Sequence, residues 1–354
     1  MLLSRYLIKA FLLRFMALLL GLVAFLQMLD VLANADAVLE GGGPPVASLL
    51  RYIFLRIPSL IETVAPLAGL LGALTALVVL ARNSEIVVMR SAGRSVLSLI
   101  GGLIAVGTVL AVLLFLFSDY VVVRFNSELE DWKNTGYKSD GVILSGKGNW
   151  VIEDENVIRV GHVMRNGSVL NDVRVFEKNR SGQIVNIVNV RLAIWEEDSY
   201  TLFEVQRVGG SGDIAEGPKW VTKLKPDDFH KLANPPNELT FDELEHYSQE
   251  LAMGSRPEYY YSTWLQRKIA GPVVLALMPL LAAIAAFAHH RSGSTVMVIV
   301  WGISLGFLFI VTDNILLAMG QFGALPPFAA AWLPLLLFAT IGLWIVINLE
   351  HTGA

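Results

Sequence analysis

The sequence predicts a membrane protein of six transmembrane α-helices, with an antiparallel β-jellyroll-like domain inserted between the third and fourth. Three observations carry this. Mean hydropathy is +0.57, with 54% hydrophobic and 16% charged residues, well below the charged share of soluble domains. Six stretches reach the roughly 20 apolar residues that a helix needs to cross a bilayer. Residues 125–262 hold 38 of the 58 charged side chains, which marks a folded domain outside lipid.

The spans are expected near 11–32, 57–81, 96–123, 269–288, 295–317 and 327–348. Lys and Arg in short loops orient them. Arg5, Lys9 and Arg14 precede the second half of the first span; Arg82, Arg90 and Arg94 join the second to the third; Arg291 joins the fourth to the fifth. Six spans place all three groups on one side, so both termini are expected in the cytoplasm and 125–262 outside it. The uncharged connector at 320–327 then lies on the outer side, while Arg51 and Arg56 run against the trend. The basic start, apolar core and Ala33-Asn-Ala35 also fit a cleaved signal. The apolar run exceeds the usual core of such a signal, and a retained first span is expected.

The inserted domain, 125–262, has the spacing of short strands. Trp150–Ile152 and Val157–Val160 flank a polar turn, Val173–Phe176 leads into Asn179-Arg-Ser-Gly182, and Ile184–Trp195 and Tyr200–Val208 flank Glu196-Glu-Asp-Ser199. This predicts an antiparallel sandwich or jellyroll. Ile184–Trp195 carries apolar side chains on both faces, as a strand buried on both sides or one lining a greasy lumen; periodicity does not choose. Thr240 and Glu243 form a capping-box pattern that predicts a short helix over 239–252.

Several chemistries are absent. There is no cysteine, so disulfides and thiolate metal sites are excluded. A net charge of −4 leaves no footprint for nucleic acid. Gly141 to Lys147 fits the first seven positions of a P-loop, but Gly148 stands where magnesium needs Ser or Thr. The histidines (162, 230, 246, 289, 290 and 351) form no HExxH. His289-His290 is expected among lipid headgroups, and no metal site is expected. Asn166-Gly-Ser and Asn179-Arg-Ser match a weak glycosylation pattern. No enzyme that makes or breaks covalent bonds is indicated, and no cofactor is expected on this chain.

Charges within the spans are informative, because each costs about 2.5–3.5 kcal/mol at a helix centre. Glu62 lies one turn into the second span and Asp313 toward the outer end of the fifth. Each either pairs with a span of this or another chain or faces a wet cavity on a transport path. For Asp313 both readings stay open; Glu62, near the interface, favours pairing. The connector RNSEIVVMRSAG (82–93) is half apolar. As a helix over 84–92 it is too short to persist alone. Asn83 or Ser84 would cap it, Glu85 would lie in its first turn, Ile86 and Met89 would share a face with Arg90 following, and Gly93 would end it. Such a helix needs a partner to bury that face; the alternative is one resting on headgroups, which Glu85 opposes.

Leu67–Leu71 with Gly72-Ala73-Leu74, Asn83–Gly93, Arg267-Lys268-Ile-Ala-Gly-Pro272, Gly323–Phe328 and Ala331-Trp-Leu-Pro334 together resemble the permease family of the lipopolysaccharide export ABC transporter, with an ending most like its G-type subunit. The likeness covers essentially the whole chain. It implies a second, F-type permease subunit and a cytoplasmic ATPase dimer that uses ATP. It further implies a membrane-anchored jellyroll partner, and a periplasmic bridge protein toward the outer membrane. The domains it implies are 1–124, with a coupling helix at 83–93 on the ATPase; 125–262, periplasmic; and 263–354. Glu85, Ile86, Met89, Arg90 and Gly93 take the coupling role. The first and fifth spans form lateral gates, and Ile187 and Val190 become positions that would meet acyl chains. One departure stands out. Relatives carry a lysine at the outer end of the first span, where this chain has Gln27 followed by Asp30. Either the lipid carries less negative charge, or Arg51, Arg56 or the partner subunit supplies the pairing. Two rival functions are a membrane-anchored binding scaffold and an intramembrane lipid enzyme. The spans hold no nucleophile–base pair or metal ligands for the second.

Overall fold

A computed structural model describes residues 2–82, 96–138, 149–153, 156–164, 167–179, 183–208, 219–222, 224–231, 236–249, 257–288 and 295–351. In chain order these form α1 (Leu2–Glu40), α2 (Pro45–Arg82), α3 (Val96–Phe117), a π-helical turn (Ser118–Val122) and α4 (Val123–Asn134). Strands β1 (Asn149–Glu153), β2 (Asn156–Met164), β3 (Val169–Lys178), β4 (Ile184–Glu196), β5 (Ser199–Val208) and β6 (Lys219–Trp220) follow. Then come α5 (Pro226–Lys231), a 3-10 turn (Pro236–Glu238), α6 (Phe241–Gln249), α7 (Glu258–Ala288), α8 (Thr295–Gln321) and α9 (Pro327–His351). Six of the helical stretches are long and apolar enough to cross a membrane.

The chain divides into two compact units. One comprises Met1–Leu32, Arg56–Val122 and Thr263–Ala354; the other comprises Ala33–Leu55 and Val123–Ser262. Helices α1 and α2 have 39 and 38 residues, so at ~1.5 Å per residue each is nearly twice as long as the ~30 Å hydrocarbon core. Their apolar bodies lie in the first unit, and their facing ends, 33–55, belong to the sheet-bearing unit.

In the first unit α2 and α7 are mostly buried, while α1, α3 and α8 face largely outward. Phe11, Leu70, Leu74, Leu77, Ile100, Leu103, Leu275 and Met278 make its core. Lipid supplies no hydrophobic drive between helices, so close approach of small residues matters instead. A Cβ on Gly72 would stand 3.0 Å from the Phe15 Cα, and one on Gly107 3.0 Å from the Ala276 Cα. A Cβ on Gly302 or Gly306 would overlap the end of the Leu74 or Leu70 side chain, where α8 meets α2. The third span, expected as a continuous helix, is interrupted by the π turn that carries Ser118 and Asp119. One extra residue per turn widens a helix locally and re-aims its side chains.

In the second unit the described strands form one antiparallel sheet in sequential order. Hydrogen-bonded register runs Val160–Val173–Val190–Val205, all four buried. In the next row Val163, Leu170 and Ala193 are buried and Leu202, paired with Ala193, is half-buried. Between them the ladder skips Gly161, Asp172, Arg191 and Glu204 in register across four strands. Asp172 and Glu204 have φ of 51° and 52° there. A Cβ on Gly161 would stand 2.9 Å from the Asp172 Cβ, so glycine is required at that crossing. In an unbroken strand residues 160 and 163 point to opposite faces; the extra residue in each strand returns both to the buried side. This crease explains β4. Val188 and Val190 are buried before Arg191, Ala193 after it, so apolar residues of both parities serve one buried side.

Tyr200 closes one end of the sheet. Its hydroxyl donates to the Gly167 carbonyl at 2.7 Å, and its ring packs against Trp195, Trp220 and Phe229. Burial, then the Asp228 carboxylate, raises its pKa above the usual tyrosine value. The capping box forms as its residues predict: Thr240 N–H donates to Glu243 Oε2 at 2.8 Å and Glu243 N–H to Thr240 Oγ1 at 3.3 Å.

Candidate functional site

The membrane unit carries two polar constellations. The first joins α1 to α2. Gln27 and Asp30 are three residues apart, hence on one helix face. Asp30 pairs with Arg56 at 3.3 Å. Gln27 is 8% exposed, and neither of its amide atoms has a hydrogen-bond partner. The Arg56 Nε is likewise buried without one. The Asp30 carboxylate thus has a counter-charge in its own chain. Arg51 is engaged elsewhere, in the sheet-bearing unit, with Glu128 at 3.0 Å and over the Trp132 ring at 4.7 Å.

The second constellation centres on α7. Arg267 and Lys268 are neighbours, so their side chains leave the helix about 100° apart and reach different elements. Arg267 Nη1 contacts both Asp313 oxygens on α8, at 2.6 and 2.8 Å. Lys268 meets Asp119 of the π turn at 3.0 Å, with both side chains mostly buried. Ser118, beside Asp119, donates to Glu62 of α2 at 2.5 Å. On the other side of Arg267, Gln266 accepts from Trp332 Nε1 of α9 at 3.1 Å. Asp313 is 3% exposed and Glu62 is partly buried. Both therefore have partners within this chain. Sequence reading singled out Asp313 and Glu62 but passed over Asp119, and it took Arg267-Lys268 only as part of a resemblance. Two adjacent bases just ahead of the span expected at 269–288, with acids near the ends of two others, were the available signal.

Ile187 and Val190 lie on opposite faces of β4 ahead of the crease. Val190 is 2% exposed, whereas Ile187 is half-buried and paired across the sheet with Phe176. Glu85, Ile86, Met89, Arg90 and Gly93 lie outside the described residues, as do the P-loop-like stretch and His289-His290. Among the described residues no group of three or more His, Asp or Glu is arranged to hold a metal. In the sheet-bearing unit the Glu238 carboxyl is pushed up to about 8, first by burial and then by Glu130 and Asp131, with Lys133 opposing.

Six helices long and apolar enough to cross a membrane, with an antiparallel sheet between the third and fourth, define a multi-pass membrane protein. A family profile described as "Lipopolysaccharide export system permease LptF/LptG" matches residues 5–348, and the chain belongs to that family. It is 24% identical over 338 residues to the lipopolysaccharide export system permease protein LptG of Escherichia coli K12, covering 93% of this chain and 91% of that one. It is 27% identical over 355 aligned positions to LptG of Haemophilus influenzae, covering 97% and 98%.

Proposed function

We propose that this chain is the G-type half of a lipopolysaccharide export permease, driven by a separate cytoplasmic ATPase and paired with a second, F-type permease. The family match over nearly the whole chain carries the permease reading, and the likeness to proteins named LptG supports the G-type. Loop charges support cytoplasmic termini and a periplasmic sheet domain. Outward apolar residues such as Leu13, Leu20 and Leu32 on α1, and Val296, Phe307 and Ile315 on α8, support their pairing with the second permease around the lipid. Gln27, Asp30 and Arg56 contribute polar groups beside that path. With Arg56 already bound by Asp30, this end of the path offers a lipid phosphate less positive charge than a lysine would. Lipid leaving the membrane then continues along the sheet domain to a periplasmic bridge.

Co-purification tests the reading. Tagged chain extracted from its native membrane should bring down an ABC-type ATPase and a second permease. Depletion should leave lipopolysaccharide in the inner membrane. A chain that purifies alone, with normal lipid distribution after depletion, refutes a transport role and leaves the binding scaffold.

A further inference from the structure

Helix α8 is held to its own chain mainly by apolar contacts. Gly302 and Gly306 accept Leu74 and Leu70 of α2, and Phe309 packs edge-on against Phe338 of α9 at 5.2 Å. In a bilayer such contacts exchange for acyl chains at little net cost. Arg267–Asp313 is different in kind. It uses both carboxylate oxygens, at 2.6 and 2.8 Å, with side-chain exposures of 24% and 5%. No acyl chain can replace it, and separation leaves two buried charges without partners. Its anchor, α7, is the more fixed partner. That helix is mostly buried, and its next residue, Lys268, is bound to Asp119.

We infer that Arg267 and Asp313 form a buried latch that sets the resting position of α8 against α7, and that lipid passage requires α8 to leave and regain this contact. The inference rests on the permease reading. Both are positioning residues: they act through the placement of α8, whose outward face meets lipid or a partner.

The absence of native cysteine allows spin labels at Leu265→Cys on α7 and Ile315→Cys on α8, in the intact complex in nanodiscs. The labelled protein should give one narrow distance distribution. Asp313→Asn should broaden or displace it and lower lipopolysaccharide release per folded complex by about 10-fold or more, as loss of a buried charge partner does, while ATP hydrolysis continues. The exchanged pair Arg267→Asp with Asp313→Arg should restore both distance and release. A merely structural pair would lower yield without changing the ratio of lipid released to ATP consumed. An unchanged distribution in Asp313→Asn, or folded single variants that the exchanged pair fails to rescue, overturns the latch. Should Asp313→Asn not accumulate, Asp313→Glu carries the test. A displaced distribution with partial release supports the latch, and behaviour identical to the parent overturns it. Parent complex that moves no lipopolysaccharide refutes the permease reading instead, and the distances alone then decide the latch.

Discussion

Glu238 shows how one side chain makes stability depend on pH. Its carboxyl titrates near 8 in the folded protein because it is buried beside Glu130 and Asp131, against roughly 4.3 in an unfolded chain. Between those values the folded form holds a proton that the unfolded form has lost. Unfolding therefore releases a proton, and stability falls as pH rises through this window. Above about 8 the folded state must hold the charge next to two other acids. Glu238→Gln removes the titration. The variant should lose the fall in stability that this carboxyl produces between about pH 5 and 8, and be more stable than the parent at pH 9 by roughly 1–3 kcal/mol, the scale for an unsatisfied buried polar group. Hydrogen exchange of the Phe241–Gln249 helix in the full-length protein measures this. Equal pH slopes in the two proteins would contradict the assignment.

At the scale of elements, the crease of the sheet and the connector after α2 make separate demands. The crease holds Glu204 at φ 52°, a conformation that costs a residue with a Cβ about 1–2 kcal/mol. Its bidentate contact with Arg191 is largely exposed and worth under ~1 kcal/mol. Glu204→Gly should therefore stabilise the protein by up to about 1 kcal/mol, whereas Glu204→Val, β-branched, should destabilise it by at least as much. Denaturation midpoints of the two variants decide the matter; a Val variant at least as stable as the Gly one would show that the crease is not strained. The connector is tested through transport. Glu85→Lys should insert normally yet abolish lipid export, Glu85→Ala should be milder, and an acidic change at a groove arginine of the ATPase should rescue Glu85→Arg. Normal ATP hydrolysis and export in Glu85→Lys would remove Glu85 from the coupling contact.

For the whole molecule, the question is which surface of the sheet domain meets lipid. Val190 belongs to a fully buried row and Ile187 to the opposite face. A photo-crosslinker at each position therefore reads a different side. Lipopolysaccharide labelling at Val190 that requires ATP means that the valine side opens as a lumen during transport. Labelling at Ile187 alone places the lipid on the face that carries Phe176 and the Trp150 ring stacked on it. Labelling at exposed control positions but at neither strand position would take the β4 strand out of the path altogether.

The membrane class, the six helices, the inserted sheet domain and the capping box were all legible in the sequence. Each depends on a local or compositional quantity: the length of an apolar run, the segregation of charge, a Thr and a Glu three residues apart. The likeness to the permease family was legible for the same reason, since its motifs are short and contiguous. The fate of the charges was not. Asp313 meets Arg267 across 46 positions and Glu62 meets Ser118 across 56. Those meetings depend on how each helix is rotated about its axis and on the π turn that aims Ser118 and Asp119. The two-faced apolar pattern of Ile184–Trp195 was equally undecidable. Its parity reverses at Arg191 because four strands insert one residue in the same row, two of them in left-handed conformation without being glycine. Strand periodicity assumes an unbroken pleat, and only the paired neighbours of a strand decide where that pleat breaks.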